Sequence, residues 1–147
     1  MKPTLYSGDR IIKLNYIKGF PRIKRGSIIS FKSPYNNKYS FAKRVIGLPG
    51  DKIRIEDGKV FLNNEELIED YIEKDSITRP GYWDSEWEVP EGQVFVLGDN
   101  RQKGGSSDSR DYGSIKISDI TGIIVFVYYP FSERWGFVNY LAFRVPL

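Results

Sequence analysis

Hydrophobic and polar residues alternate along several short stretches of the chain, which is the pattern of β-strands with one buried face. The clearest stretch, KIRIEDGKVFLNN at residues 52–64, contains two alternating runs that meet at Asp57-Gly58, a dipeptide typical of a two-residue hairpin turn. Other stretches with strand character are residues 9–17, 26–31, 39–47, 92–100 and 120–131. Short strands at this spacing, separated by turn residues, predict a mainly β fold, either a sandwich or a barrel.

Three segments interrupt this pattern. Residues 65–72 are compatible with a helical turn or an extended segment, and residues 76–89 are polar and irregular. Residues 101–113 form a long polar loop, and such loops inside compact domains often carry function. The length of 147 residues predicts one domain.

Lys43 stands out within the stretch SFAKRVIGLPGD at residues 40–51. Strand alternation places Lys43 on one face with Phe41 and Val45, and places Arg44 on the opposite face. A lysine in this setting either extends to water or is partly desolvated. Desolvation could make it a base at neutral pH, if its pKa falls by roughly two to four units from ~10.4.

The composition excludes several kinds of chemistry. The chain has no Cys and no His, so thiolate nucleophiles, disulfides, histidine-based catalytic triads and His- or Cys-ligated metal sites are impossible. Acid–base catalysis without a cofactor would therefore use Asp, Glu, Lys or Tyr. The net charge of +3 is too small to indicate nucleic-acid binding by itself and equally fits a surface near anionic lipid.

The longest apolar run, ITGIIVFVYYPF at residues 120–131, is shorter than the ~20 residues of a membrane-spanning helix. It is interrupted by Thr and Gly and closed by Pro, so we interpret it as a buried strand. We therefore expect the chain as given to be soluble.

Two polar clusters follow the strand predicted at residues 92–100: GDN at residues 98–100 and SSDSR at residues 106–110. Taken alone, both favour a structural interpretation, because Asp and Asn bond to nearby backbone and Gly allows tight turns. Asp108 and Arg110 could also form an ion pair that holds the loop in place.

The motifs are more informative together, because they occur in a fixed order. The order is M-x-P-T-L-x-x-G-D, then R-G-x-I-I-x-F, then K-R-V-I-G-L-P-G-D, then G-D-N-R, and finally S-x-D-S-R-x-x-G. This series strongly resembles the type I signal peptidases, membrane-bound serine proteases that trim signal peptides from secreted proteins. The resemblance covers the chain from Met1 to about residue 130.

The resemblance implies a catalytic domain of coiled antiparallel β-sheets with a small β subdomain at residues 52–90. It makes Lys43 the general base of a serine–lysine dyad, which explains how the protein works without histidine. Ser106 matches the hydroxyl that orients this lysine. The residues that it places in supporting roles are Arg44, Asp99, Asn100, Asp108 and Arg110. It implies no cofactor and no metal.

The resemblance also implies a substrate and a location. Such enzymes cut signal peptides of secreted preproteins after small residues, in the pattern Ala-x-Ala. The matching pocket residues are Met1, Pro3, Leu5 and Ala42. The catalytic domain is expected at the outer face of the cytoplasmic membrane, with an apolar surface that contacts lipid near the active site. Candidates for that surface are Tyr6, Phe20 and residues 35–39.

Two departures from the family pattern affect these expectations. The family motif begins with a serine immediately before the residue that matches Met1, and this serine is the nucleophile. The chain as given lacks that serine and the membrane anchor that precedes it in the family. We therefore expect the chain as given to be inactive. Ser7 lies past the P-T-L turn and does not replace that serine. The loop before Ser106 is about two residues longer than usual, which leaves Ser106 and Ser107 as alternatives for the lysine-orienting hydroxyl.

Three competing interpretations remain at this stage. A self-cleaving repressor-type protease also uses serine and lysine on a similar β fold, but no DNA-binding helix-turn-helix is visible. A non-catalytic accessory protein of surface or pilus assembly fits the missing serine, but not the complete set of residues that support Lys43. A basic β-barrel that binds nucleic acid through its aromatic residues is opposed by the lack of a dense Lys/Arg stripe.

Overall fold

The structure is a computed structural model that describes residues 1–17, 22–36, 38–129, 136–137 and 143–144. Helical structure in these residues is confined to α1 (Ser109–Tyr112) and a 3-10 helix (Ile117–Asp119). The strands are β1 (Arg10–Asn15), β2 (Ile28–Lys32), β3 (Ser40–Gly47), β4 (Lys52–Glu56), β5 (Lys59–Leu62), β6 (Glu65–Glu66), β7 (Ile68–Glu69), β8 (Glu86–Glu88), β9 (Gln93–Leu97), β10 (Ile115–Lys116), β11 (Ile120–Tyr129), β12 (Gly136–Phe137) and β13 (Phe143–Arg144).

The largest sheet has seven strands in the order β1-β11-β2-β3-β9-β10, with β12 paired to β11. Neighbouring strands in it are antiparallel, and β2 and β3 pair in continuous register, with Ile29 opposite Lys43. The prediction of a mainly β fold built from antiparallel sheets is confirmed. Lys43 therefore lies on a central strand of this sheet.

A second sheet has four strands in the order β6-β5-β4-β8. Its centre is the predicted hairpin, in which Asp57 and Gly58 both take positive φ angles, 49° and 80°. That conformation is typical of the turns that join two-residue hairpins. Residues 65–72, which the sequence left open, contain the short strands β6 and β7. The assignment of residues 52–90 to a separate subdomain stays a prediction.

Two hydrophobic cores lie on opposite faces of β3 and β9. On β9, Val94 and Val96 belong to one core while Phe95 and Leu97 belong to the other. On β3, Val45 and Ile46 divide in the same way. Strand alternation produces this division, because successive side chains point to opposite faces. β3 thus carries Lys43 and Arg44 between two packed layers.

All six residues of strand β1 are exposed. It pairs with β11 at the edge of the large sheet and presents Ile11, Ile12 and Leu14 at 37–46% exposure. Within the described residues, neither helix has the length and apolar character needed to cross a lipid bilayer.

The core position of Ile29 generates a stability prediction. Ile29 is fully buried between β3 and β11, whereas Ile17 is 72% exposed. Ile29→Ala should lower the free energy of unfolding by about 2–5 kcal/mol, because it removes buried methyl groups and leaves a cavity. Ile17→Ala, the matched control, should change it by less than about 0.5 kcal/mol. Urea denaturation measures both values, and equal losses would contradict this placement of Ile29.

Candidate active site

Lys43 projects from β3 toward the loop that follows β9. Its Nζ atom donates a hydrogen bond of 2.8 Å to Ser106 Oγ, and Ser106 Oγ in turn donates one of 2.8 Å to Asp108 Oδ2. Burial lowers the pKa of the Lys43 ammonium; the Asp108 charge opposes this shift and the Arg110 charge adds to it. The group is therefore easier to deprotonate than an ordinary lysine.

Asp108 is held by donors from three directions. Its carboxylate caps α1 by accepting from the Arg110 backbone N–H at 3.3 Å, and it accepts from Arg110 Nε at 2.8 Å and Nη2 at 2.9 Å. It also accepts from the Gly98 backbone N–H at 2.9 Å. Burial alone would raise the pKa of Asp108, but the Arg110 hydrogen bonds and charge outweigh it and keep the pKa below its usual value. An ionised carboxylate only accepts, so the Ser106 proton points to Asp108.

Gly98 leaves the space that Ser106 occupies. A Cβ atom added at Gly98 would lie 2.1 Å from Ser106 Oγ and 2.5 Å from Ser106 Cβ, which no real contact allows. Gly105 is similarly close to Asn100, where an added Cβ would lie 2.6 Å from the side-chain Oδ1. Asn100 Oδ1 also accepts from the Gln102 N–H at 3.2 Å. The glycines thus let the two ends of the loop pack against each other.

The structure separates the two serines that the sequence left as alternatives. Ser106 contacts Lys43, whereas Ser107 Oγ shares a hydrogen bond of 3.1 Å with the Tyr35 hydroxyl. The Tyr35 ring also packs edge-on against Tyr112 and lies near Phe41. Ser107 therefore belongs to the aromatic border of the site rather than to the lysine.

Arg44 occupies the opposite face of β3, as alternation predicted. Its Nε donates to Asp99 Oδ1 at 2.8 Å and its Nη2 to Asp99 Oδ2 at 2.7 Å, and both side chains are almost completely buried. Arg44 Nη1 donates to the Gly26 carbonyl at 2.9 Å. Thr4, a residue that the sequence did not single out, donates its hydroxyl proton to Asp99 and accepts from Arg44 Nη2 at 3.3 Å. This network ties the N-terminal segment to β3.

An open cavity of about 350 Å³ lies between the N-terminal segment and β3, and Lys43 is not among its lining residues. Three of the four predicted pocket residues, Met1, Leu5 and Ala42, line it, and Pro3 is not among its lining residues. The remaining lining residues are Tyr6, Ser7, Asp9, Ile11, Ser40, Phe41 and Ile124. Burial lowers the pKa of the Met1 α-amino group, and the charge of Lys43 lowers it further. The chain start therefore lies near the lysine amine.

The arrangement combines a partly desolvated amine with a hydroxyl–carboxylate pair that orients it, and such an amine can act as a base. Residues 1–129 match the family of signal peptidases, peptidase S26. The chain belongs to this peptidase family. The described residues contain no cluster of three or more acidic, His or Cys side chains able to hold a metal ion.

Individual S26 relatives support the same assignment. The chain is 37% identical to a probable signal peptidase I-1 of Synechocystis sp., over 97% of this chain and 73% of that protein. It is 39% identical to signal peptidase I of Bacillus caldolyticus, over 90% of this chain and 76% of that protein. The crystal structure of a signal peptidase I from Enterococcus faecalis superposes with a TM-score of 0.58 at 36% identity, covering 69% of this chain and 96% of that one.

The pKa of Lys43 in this S26 peptidase generates a prediction for Lys43→Met. Because the folded pKa is below the unfolded value, the unfolded chain binds more protons between those two pKa values, so the parent gains stability as pH rises through that window. Methionine carries no charge to desolvate. The variant should therefore be more stable than the parent near neutral pH, and the difference should shrink as pH approaches ~10.4.

Urea denaturation across a pH series measures this difference. Lys52→Met is the matched control, because it removes a lysine that is exposed on β4. A Lys43→Met difference that stays constant with pH would contradict the burial of the ammonium.

Proposed function

We propose that this chain is the catalytic region of a signal peptidase I that removes signal peptides from secreted preproteins with a serine–lysine dyad. The observation that carries the proposal is the Lys43 amine, desolvated and held 2.8 Å from Ser106 Oγ in a chain of the S26 family. Lys43 acts as the general base, and Ser106 orients it. Asp108 and Arg110 hold Ser106, while Arg44, Asp99 and Asn100 keep the surrounding backbone in place.

The reaction proceeds through an ester. Neutral Lys43 takes the proton from the nucleophilic serine as its oxygen attacks the scissile carbonyl. The resulting ammonium then protonates the leaving amine, which departs with the mature protein and leaves the signal peptide esterified to the serine. Lys43, neutral again, takes a proton from the water that attacks this ester and gives it to the serine oxygen, so the signal peptide leaves with a free carboxyl group and the serine hydroxyl is restored. The hydrogen bond to Ser106 keeps the amine in place during both half-reactions.

The nucleophile belongs directly before Met1. The Met1 amine is the atom to which a preceding residue would be joined, and the electrostatic effect of Lys43 on this amine supports their proximity. A serine joined there would extend beside the lysine. Ser7 lies six residues after Met1, beyond Thr4, whose hydroxyl bonds to Asp99. The polypeptide of residues 1–147 by itself should therefore be unable to form the ester.

The edge of β3 suits an extended peptide. Residues 40–43 pair with β2 on one side, whereas β9 pairs with β3 only from Arg44 onward. The second edge of these residues has no strand partner in the described part of the chain, and a substrate strand can bond to it. Alternate residues of that strand face the same side, so both alanines of Ala-x-Ala would point to the cavity lined by Leu5 and Ala42.

The dyad generates an activity prediction. Residues 1–147 should not cleave a peptide containing Ala-x-Ala, and adding a serine before Met1, with a few upstream residues, should create cleavage after the second alanine. Lys43→Met in that extended chain should lower kcat by more than about a thousandfold, because the base is lost. Ser106→Ala should cost about ten- to a hundredfold, because the lysine is only less well oriented.

Mass spectrometry of the peptide products measures the rate and the cut position. Lys52→Met in the extended chain controls for loss of an exposed lysine and should keep full activity. Activity of residues 1–147 alone, or activity that survives Lys43→Met, would overturn the dyad assignment.

A lipid-facing surface beside the site would match substrates that emerge from a membrane. Tyr35 and Tyr39 are each 65% exposed, and Tyr6 lines the cavity. Tyrosine favours the bilayer interface, because its ring is apolar and its hydroxyl is polar. Phe20 and residue 37, two other positions predicted for this surface, lie outside the described residues. We propose that the catalytic region lies at the outer face of the cytoplasmic membrane, where preproteins emerge, with these tyrosines toward the lipid.

The surface generates a binding prediction. The protein should sediment with vesicles of phosphatidylcholine and phosphatidylglycerol, and Tyr39→Ser should weaken this partitioning because it removes an exposed interfacial ring. Tyr82→Ser, at a tyrosine that is 86% exposed but lies outside the predicted surface at residues 35–39, is the control and should leave it unchanged. Partitioning equal to that of a soluble protein of the same charge would contradict the lipid-facing surface.

A further inference from the structure

Glu69 is a buried carboxylate outside the site described above. It lies on β7, with its side chain 6% exposed, and it accepts three hydrogen bonds. Arg101 Nη1 donates to Oε2 at 2.8 Å, Arg101 Nη2 donates to Oε1 at 2.5 Å, and the Tyr71 hydroxyl donates to Oε1 at 2.6 Å. One carboxylate thus fixes two side chains that lead toward different parts of the site.

The first branch runs through Arg101 to Ser106. Arg101 is completely buried, and its Nε donates to the Gly98 carbonyl at 2.8 Å. The Gly98 N–H donates to Asp108, so both polar groups of this residue are held. Ser106 packs against the bare Cα of Gly98, closer than any side chain would allow. The position of Gly98 therefore determines where the lysine-orienting hydroxyl can lie.

The second branch runs through Tyr71 to the N-terminal segment. Burial raises the pKa of the Tyr71 hydroxyl and the Glu69 charge raises it further, so this group stays protonated and donates to Glu69. The Arg44 guanidinium lies 4.0 Å from the centre of the Tyr71 ring. Arg44 in turn donates to Asp99 and to Thr4, which stands three residues after Met1.

We propose that Glu69 is a positioning residue that keeps the two members of the dyad, Lys43 and the nucleophilic serine, in place relative to each other. Through Arg101 and Gly98 it sets the hydroxyl that orients Lys43, and through Tyr71 and Arg44 it sets the segment that carries the nucleophile. The catalytic meaning of this role rests on the function proposed above, whereas the two branches are contacts of the folded chain and can be tested without activity.

A purely stabilising role is the competing explanation, because Arg101 would otherwise be a buried cation without a counter-charge. The two explanations differ in what they predict for distant groups. A stabilising ion pair changes the free energy of unfolding, but it leaves Lys43 and the Met1 amine unchanged in the folded state. A positioning residue changes the surroundings of both groups.

The test is an NMR titration of residues 1–147 carrying Glu69→Gln. The ¹³Cε signal of Lys43 and the ¹⁵N signal of the Met1 amine report their pKa values. The charged groups facing Lys43 are Asp108, Arg110, Asp111 and Asp99, and those facing the Met1 amine are Lys43, Asp99 and Lys2. Glu69 is not among them, so loss of its charge has no direct effect on either titration.

Both pKa values should rise in Glu69→Gln, because looser packing lets water reach the two amines and weakens the desolvation that lowers their pKa values. Glu66→Gln is the matched control: Glu66 lies three residues earlier, pairs with Lys59 at 2.8 Å in an exposed setting and should leave both values unchanged. Two unchanged pKa values in a folded Glu69→Gln protein would overturn the proposal.

Two further variants separate the branches and keep the test informative if Glu69→Gln does not fold. Arg101→Lys loses the bond to the Gly98 carbonyl and should raise the pKa of Lys43 alone. Tyr71→Phe keeps the ring over Arg44 but loses the bond to Glu69, and it should raise the pKa of the Met1 amine alone. If neither variant changes either pKa, the proposal fails.

Activity provides the last measurement, in the chain extended by a serine before Met1. Glu69→Gln should lower kcat/KM by about tenfold or more, since small displacements of reacting groups are costly, whereas Glu66→Gln should not. An extended chain that cleaves nothing would refute the proposed function and leave the titration result standing. Full activity of the folded Glu69→Gln protein would overturn the positioning role alone.

Discussion

Two consecutive cations point to opposite faces of one strand; Arg44 is completely buried, Lys43 is partly buried, and the two are compensated differently. Burying a charge is costly unless hydrogen bonds and an opposite charge compensate it. Arg44 receives both from Asp99, which bonds to two of its nitrogens. Lys43 has no carboxylate within ion-pair distance in the described residues and bonds to a hydroxyl instead. Arg44 is therefore a structural, ion-paired residue, while burial lowers the pKa of Lys43 and eases the loss of its proton.

The position of this strand explains why distant segments meet at the site. β3 lies between two hydrophobic cores, which bury Arg44 completely and Lys43 in part. The loop after β9 supplies a carboxylate to each face, Asp99 to Arg44 and Asp108, through Ser106, to Lys43. Because β9 pairs with β3 up to Arg44, this loop starts beside both cations. The polar residues of this loop thus bond to one buried and one partly buried cation.

Local pattern was enough to predict the hairpin at residues 52–64 and the opposite faces of Lys43 and Arg44, because both follow from strand alternation and turn chemistry. It could not predict the bond between Thr4 and Asp99, which are 95 residues apart, since alternation assigns a face but not a partner. For the same reason, alternation could not decide whether Ser106 or Ser107 contacts Lys43, because this contact joins residues 63 apart in sequence. The four-residue helix after Asp108 is too short to show a helical period in sequence.

The hydroxyl between Lys43 and Asp108 has a physical consequence for the proposed base. A carboxylate in direct contact with the ammonium would stabilise its charged form and raise the pKa of the lysine. With Ser106 between them, Asp108 lies one hydrogen bond further away, so its attraction is weaker than the effect of burial and the pKa of Lys43 stays lowered. Asp108 still fixes the direction of the hydroxyl, and the hydroxyl fixes the amine. The amine is thereby oriented by a charged group without being held in its charged form.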